Sequence, residues 1–450
     1  MKLNTKINTN INTKINTPLS SNKSLNTPLS TTKSLNNVKV VVKQLSIPTN
    51  IIKYKNTIIV SIILVIAIYV SYIISKSYKI SKLLSDMSIL DGYVIVNSQL
   101  IKHKELKLCD FYIASAFRPY LGYNQFFNYI DLSITEKIIK NGVRSIYVDI
   151  YNDTMGEFAN PVISTGIIKG QWKLSLNTVP FEELCKLLST ICFNAGYVNN
   201  YEDPFILILN LNVNGNINCL NKIRNNIYTY LSRYLLSNKY TYNKVNISQV
   251  PIKYLKKKLL IFSSDGYQYS DLDEFINLSW NKEGLNKISY ESLYPDVVDL
   301  SVLKVEPNNL KNYNKNNITI VTPTESVSFT NFFTTNYEPS YFWDTGCQLV
   351  CMNYQKIDDY FESYIEKFKN DSFYPKPDEL MGATIKPRII PKETDTSNKL
   401  TETEKEVINC PEIPSADAYA KKTEMKFLQD ANNRLENEKN KLLDQINGLN

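Results

Sequence analysis

Histidine is all but missing from this 450-residue chain, with His103 standing alone. Mechanisms that need two histidines are therefore excluded. The seven cysteines are an odd number, with no CxxC spacing and no clustering with histidine, so neither a disulfide framework nor a zinc site is expected. Acidic residues are absent from residues 1–56, which hold nine lysines. The formal charge of +7 lies in that tail, because the remaining 394 residues carry 42 basic against 44 acidic side chains. A basic folded surface for neutralising phosphates is lacking, and no nucleic-acid partner is expected. What is present, 43% apolar and 21% charged residues, describes an ordinary globular chain.

Residues 1–56 are rich in Asn, Thr, Lys, Ser and Ile and contain a ten-residue repeat, NTPLSSNKSL at Asn16–Leu25 and NTPLSTTKSL at Asn26–Leu35. So few large apolar side chains cannot offset the entropy of ordering, and a disordered tail is expected. From Thr57 to Ser75 runs TIIVSIILVIAIYVSYIIS, uncharged and flanked by lysines. At about 1.5 Å per residue it matches the apolar thickness of a bilayer, so 57–75 is expected to be a single transmembrane helix. The lysine excess before it leans toward a cytosolic N-terminus, a type II arrangement. The Asn, Lys and Ile bias suits an AT-rich protist or a virus of such a host, and so a membrane of either.

Residues 105–383 alternate strand and helix patterns. Expected strands are Phe111–Ser115, Val143–Tyr151, Pro161–Thr165, Pro204–Val213, Lys258–Ser263, Val297–Val302, Ile318–Thr322 and Cys347–Tyr354. Helices are expected over Ile134–Asn141, Thr178–Ala195 (capped by Thr178) and Asn218–Leu236. Runs such as PFILILNLNV are apolar on both faces, as a helix-covered parallel sheet requires. Eight strands with interposed helices give an α/β fold of the (β/α)8 TIM-type barrel. Residues 384–414 read as a linker. In 415–450, leucines at 428, 435, 442 and 449 recur every seven residues, which suits either a short coiled coil able to make a homo-oligomer or a merely amphipathic helix.

The string NYEPSYFWDTGCQLVCMNYQ at Asn336–Gln355 resembles the Y half of the catalytic barrel in eukaryotic phosphoinositide-specific phospholipase C, as does FYPKPDEL at Phe373–Leu380. DFYIASAFRPYLGYNQ (Asp110–Gln125), NGVRSIYVDIYN (Asn141–Asn152), PVISTG (Pro161–Gly166) and DPFILILNL (Asp203–Leu211) are similar to its X half in order and spacing. The resemblance spans about Leu106–Gly382. It implies an X-like half over 105–263, a linker over 264–290 and a Y-like half over 291–383.

Enzymes of that family cleave an inositol lipid phosphodiester with two histidines and a calcium ion held by Asn, Glu and Asp. Carried onto this chain, the first histidine falls on Phe117 and the second, placed near the third strand, on Thr165. The calcium asparagine falls on Arg118, the first carboxylate of the second strand on Tyr147 and the fourth-strand glutamate on Asn210. Of the charged set, Asp149 alone remains, and Arg118 is placed to take the cation's position beside it. Lysines that hold inositol phosphates after the fifth strand fall on Phe262 and Ser264, and the seventh-strand arginine falls near Ile320.

A vacated site leaves the pocket Arg118, Tyr147, Asp149 and Asn210 open to two readings, a small anion site or an arginine plug. Cys347 and Cys351 are expected on one face of the last strand, packing rather than reacting. Three functional classes follow. The chain is a membrane-anchored pseudoenzyme that binds an inositol lipid or a protein partner, or a divergent phosphoric diester hydrolase using Asp149, Tyr147 and Arg118, or a structural protein self-associating through 415–450. No cofactor is expected under the first and third, and calcium only under the second. Nothing before the span resembles a pleckstrin-homology or EF-hand module, and the stretch after Gly382 is short for a C2 domain. Calcium-triggered receptor signalling is therefore not expected.

Overall fold

A computed structural model describes residues 54–93, 100–167, 172–241, 244–280, 284–293, 305–323 and 336–382. The chain divides into two units, Met1–Thr384 and Ile385–Asn450, and the second lies outside the described residues. So do the 415–450 helix, the 384–414 linker, nearly all of the 1–56 tail and the expected strand Val297–Val302.

Eight parallel strands make the barrel: β1 Ser115–Phe117, β2 Ser145–Asn152, β3 Phe205–Asn212, β4 Leu259–Ser263, β5 Leu278–Ser279, β6 Leu285–Ser289, β7 Ile318–Thr322 and β8 Leu349–Met352. Their order is β5-β4-β3-β2-β1-β8-β7-β6, so β1 to β5 and β6 to β8 each pair in sequence and β8 pairs back onto β1. The circle is nearly closed, with the step from β5 to β6 the one without a ladder among the described residues. This is the expected TIM-type architecture, but the expected first strand Phe111–Ser115 is split: Phe111–Ile113 pairs antiparallel with Phe373–Pro375 below the ring, and the barrel strand itself is Ser115–Phe117. Pro161–Ile163 is extended, but it pairs antiparallel with the end of β2 and with Val179–Pro180, outside the barrel circle. Residues 264–290, expected as a linker, instead contain β5 and β6. Two residues in β5, and half-buried Asn286 and Lys287 in β6, carry too little apolar period to announce a strand.

The strand period of two sorts the core. In β3, Ile206 and Ile208 point into the barrel, and Leu207 and Leu209 pack outward under the helices. In β2, Tyr147 points in, and Ile146, Val148 and Ile150 point out. The helical layer consists mainly of α2 Leu132–Lys140, α3 Phe181–Ile191, α4 Ile217–Leu231, α5 Pro307–Asn314, α6 Ser340–Trp343 and α7 Asp359–Lys367. Caps set several starts: Asp131 accepts from Ser133 N, Asn216 from Cys219 N and Asp358 from Phe361 N. Thr178 is not the cap of α3, because the residues after it are spent on the Val179–Pro180 pairing and the helix begins only at Phe181.

A 32-residue helix, α1 Lys55–Asp86, precedes the barrel. It contains an 18-residue window of mean hydropathy 2.7, none of it buried, and is long and apolar enough to cross a membrane. The expected span, 57–75, is only its first part. The helix runs on, and Ile80 and Leu83 are buried against the barrel together with Met87 and Leu90 just beyond it.

At the N-terminal ends of the strands, the barrel bottom, Lys376 is almost wholly buried and its Nζ donates to the Asn314 carbonyl at 3.0 Å. Burial pulls its pKa down to about 8, against the pull of nearby Cys109, Cys347 and Asp110. Below pH 8 the ammonium is charged in both folded and unfolded chains, and its desolvation cost is fully present. As pH rises from 8 toward the ordinary value of 10.5, the folded state sheds its proton first and the cost fades. We expect Lys376→Met to gain most in thermal midpoint over the wild type at pH 7, with the advantage shrinking by pH 10. A pH-independent difference in melting curves would contradict this.

Candidate functional site

The interior of the barrel is layered, and the layers decide what the site can do. Strand register places Phe117, Tyr147, Ile208, Phe262 and Leu278 side by side across β1 to β5. All five are buried in one cluster, forming an apolar floor. The Phe117 and Tyr147 rings are 5.2 Å apart, and Tyr147 stacks on Trp280 at 6.3 Å. Lys287 Nζ lies 5.4 Å from the Tyr147 ring centroid and 5.6 Å from that of Trp280.

One step nearer the C-terminal mouth, Asp149 pairs in register with Asn210. Arg118 follows Phe117 at the end of β1 with φ 43°, a left-handed conformation rare for a side-chain-bearing residue. Its amide donates to the Tyr147 carbonyl at 3.0 Å, and its carbonyl accepts from Gln355 Nε2 at 2.7 Å. This turn delivers the guanidinium onto the carboxylate, with Nη2 2.6 Å from Asp149 Oδ2. Both side chains are out of solvent, at 3% and 0% exposure. Asn210 Nδ2 donates to Asp149 Oδ1 at 2.8 Å, Arg118 Nη1 donates to Gln125 Oε1 at 3.3 Å, and Cζ lies 4.7 Å from the Phe117 ring centroid. Tyr120 closes the cluster from the loop after β1. Its hydroxyl accepts from the Asp149 amide and donates to the Ser164 carbonyl, both at 3.1 Å, and burial pushes its pKa well up.

Of the sequence-derived positions, Arg118, Asp149 and Asn210 are brought together. Tyr147 packs in the apolar floor, one layer below the Arg118–Asp149 pair. Thr165 is buried in the connection after the Pro161–Ile163 hairpin, with its carbonyl accepting from Leu174 N at 2.7 Å. It follows no third barrel strand. Asn210 accordingly sits on β3 and Phe262 on β4, each one strand earlier than counted from sequence. Ser264 Oγ accepts from the Leu211 amide at 2.8 Å. Ile320 is an apolar interior residue of β7. The motif strings contain Tyr120, Gln125 and Gln355 without a role for any of them, and Lys287 lies outside those strings.

Calcium does not fit these residues. The ion takes six to eight oxygens at 2.3–2.6 Å, whereas here a guanidinium already lies against the one carboxylate. No group of three or more His, Cys, Asp or Glu able to hold a metal occurs among the described residues. Thiol chemistry fares no better. Cys347 packs in the outer core and Cys351 in the barrel interior, not on one face as expected. Burial pushes Cys347 up to about 11 and Cys351 higher.

Comparison with known proteins matches residues 105–265 to the X domain of phosphatidylinositol-specific phospholipase C and residues 280–379 to its Y domain. The chain belongs to the phosphatidylinositol-specific phospholipase C family. A Drosophila melanogaster protein described as 1-phosphatidylinositol 4,5-bisphosphate phosphodiesterase classes I and II is 35% identical over 78 residues, 17% of this chain and 6% of that protein. Among solved structures, PLC21 of L. pealei is 18% identical with a TM-score of 0.49, over 64% of this chain and 39% of that one. A calcium-dependent phosphoinositol-specific phospholipase C from Pseudomonas sp is 8% identical with a TM-score of 0.35, over 59% of this chain and 94% of that one. The chain thus spans well under half of the two animal proteins. The Y match begins at Trp280, just past β5, which places the junction of the phospholipase halves at 265–280 and inside the barrel rather than in an excluded linker.

Proposed function

We propose that this phospholipase C barrel is a catalytically inactive, membrane-anchored binding protein. The observation that carries the reading is the buried Arg118–Asp149 ion pair above the Phe117–Tyr147–Phe262 floor. A phosphodiester cleaved by the family's route needs a group to take the inositol hydroxyl proton and a cation to steady the phosphorane. Phe117 and Thr165 take no proton at neutral pH, and the Arg118 charge is spent on Asp149. α1 supplies the anchor, with the tail cytosolic and the barrel on the far side. Ligand binding falls to the cleft of ≈ 810 Å³ between the loops after β2 and β3, lined by Asp153, Glu157, Lys173 and Asn214 beside Met155 and Val213. An inositol lipid headgroup or a protein segment suits its mix of charges and amides.

The test is turnover of phosphatidylinositol and its phosphorylated forms by the full chain in detergent micelles, with calcium and with chelator, beside Asp149→Ala. The expected result is no hydrolysis by either protein in either medium. Hydrolysis by the wild type that disappears in Asp149→Ala would overturn the reading and establish a hydrolase working without histidines.

A further inference from the structure

We infer that the bottom of the barrel docks an acidic peptide segment of a partner protein and seats one apolar side chain of that segment between Leu100 and Ile252. This surface lies at the opposite end of the strands from the cleft assigned above and does not depend on that assignment. A near-neutral total hides how the charge is sorted. Residues 232–258 hold Arg233 and six lysines and no acidic residue. They join the end of α4 to the start of β4, and so lie under the N-terminal ends of the strands. The approach to β1 is laced to them: Leu108 N donates to the Val250 carbonyl at 3.1 Å, Ile252 N to that of Leu106 at 2.8 Å and Lys253 N to that of Lys104 at 3.3 Å. Lys102 and Lys104, both exposed, thereby join the same basic face.

Charge alone suits any polyanion, and two features choose among them. The first is a cavity of ≈ 190 Å³ on this face, walled by buried Leu100 and Ile252 and rimmed by exposed Lys104, Lys253 and Lys256. Glu202 stands beside these lysines, and Asp203 lies deeper, at 2% exposure, with the buried Arg144 to answer its charge. An apolar hole ringed by ammonium groups fits an aliphatic or aromatic side chain flanked by carboxylates. A sulfated polysaccharide carries nothing apolar to fill it. The second feature is that tyrosines of the face are already covered. Arg233 Cζ lies 4.6 Å from the Tyr234 ring centroid, and Phe193 stacks on that ring at 4.1 Å. Lys239 Nζ lies 4.6 Å from the Tyr240 centroid and Lys257 Nζ 4.7 Å from that of Tyr201. Rings so covered are no platform for nucleic-acid bases, but they hold the cations in place for carboxylates. Lys253 pairs with Glu105 at 2.7 Å and Lys256 with Glu202 at 2.6 Å. Exposed pairs of this kind add little stability, so a partner's carboxylates can exchange with them.

The experiment uses the full chain in detergent micelles and two fluorescein-labelled peptides, one with leucine at the centre of a run of glutamates and one with serine in its place. Fluorescence anisotropy is expected to show the leucine peptide binding about tenfold more tightly or better, as burial of one apolar side chain gives. Binding weakens as salt rises. Lys253→Glu/Lys256→Glu lowers the affinity at least about tenfold, with the unfolding midpoint unchanged because both side chains are exposed. The 1–56 tail also carries lysines, so Lys2→Gln/Lys6→Gln/Lys14→Gln/Lys23→Gln serves as control. It is expected to change affinity less than about twofold, since charges farther away than a Debye length are screened. Affinity lost in the tail variant and kept in the bottom variant overturns the inference, as does the absence of binding by either peptide. Equal affinity for the two peptides overturns the seated side chain. Tighter binding of a single-stranded oligonucleotide than of the leucine peptide overturns the choice of partner and gives the face to nucleic acid.

Discussion

Arg118→Ala lowers the stability of the barrel by about 3–5 kcal/mol, because it strands a carboxylate that is wholly buried without its charged partner. Asn210 still donates to Oδ1, but one amide does not balance a full buried charge. The loss is read from urea unfolding monitored by circular dichroism, as a fall in midpoint at unchanged slope. The double variant Arg118→Met/Asp149→Leu recovers most of it, since two apolar side chains of similar volume leave neither charge nor hole. This pattern separates a plug from a working site. If the pair is structural, losing both partners costs less than losing one. A double variant as unstable as the single would mean that the polar groups bonded to the two side chains, Gln125 and Asn210, are built around the charges themselves.

Phe262→Lys, which restores the residue type of the resembling enzymes, unfolds the chain or costs at least about 3 kcal/mol. Phe262 sits in register between Ile208 and Leu278, with no carboxylate in the apolar row to receive an ammonium. Phe262→Leu, which keeps the row apolar, costs about 1 kcal/mol. Thermal midpoints of the two variants measure the difference directly. Equal midpoints would mean that a lysine at 262 escapes to solvent, and hence that the mouth is open above the floor.

How far the sequence foretold this structure depends on the range of the interaction. β2 and β3 are long and apolar on both faces, and their alternation sends Asp149 to the same side as Tyr147. The cation beside Asp149 was legible only through the family resemblance, because the strand expected at Phe111–Ser115 ends three residues short of Arg118. Local pattern says that Pro161–Ile163 is extended but not whom it pairs with, and the antiparallel hairpin shifted the count of the next two strands, β3 and β4. β5, only two residues long, is held by the register of β4 rather than by any preference of its own. Gln355 reaches Arg118 across 237 residues, a contact no spacing reveals. The left-handed turn at Arg118 is equally silent, since nothing in FRPY announces φ 43°.

The GCQ run in the Y half has a physical reading at the bottom of the barrel. Gln348 Nε2 donates to the carbonyls of Cys109 (3.0 Å), Asn314 (3.0 Å) and Asn317 (2.8 Å), and its Oε1 accepts from the Thr319 amide at 2.9 Å. One amide thereby knots the approach to β1, the end of α5 and the start of β7 beside β8. The knot lies at the opposite end of the strands from Arg118 and Asp149. A chain so fastened holds its ring shut from below, so the residues at the other rim are free of the work of closing it.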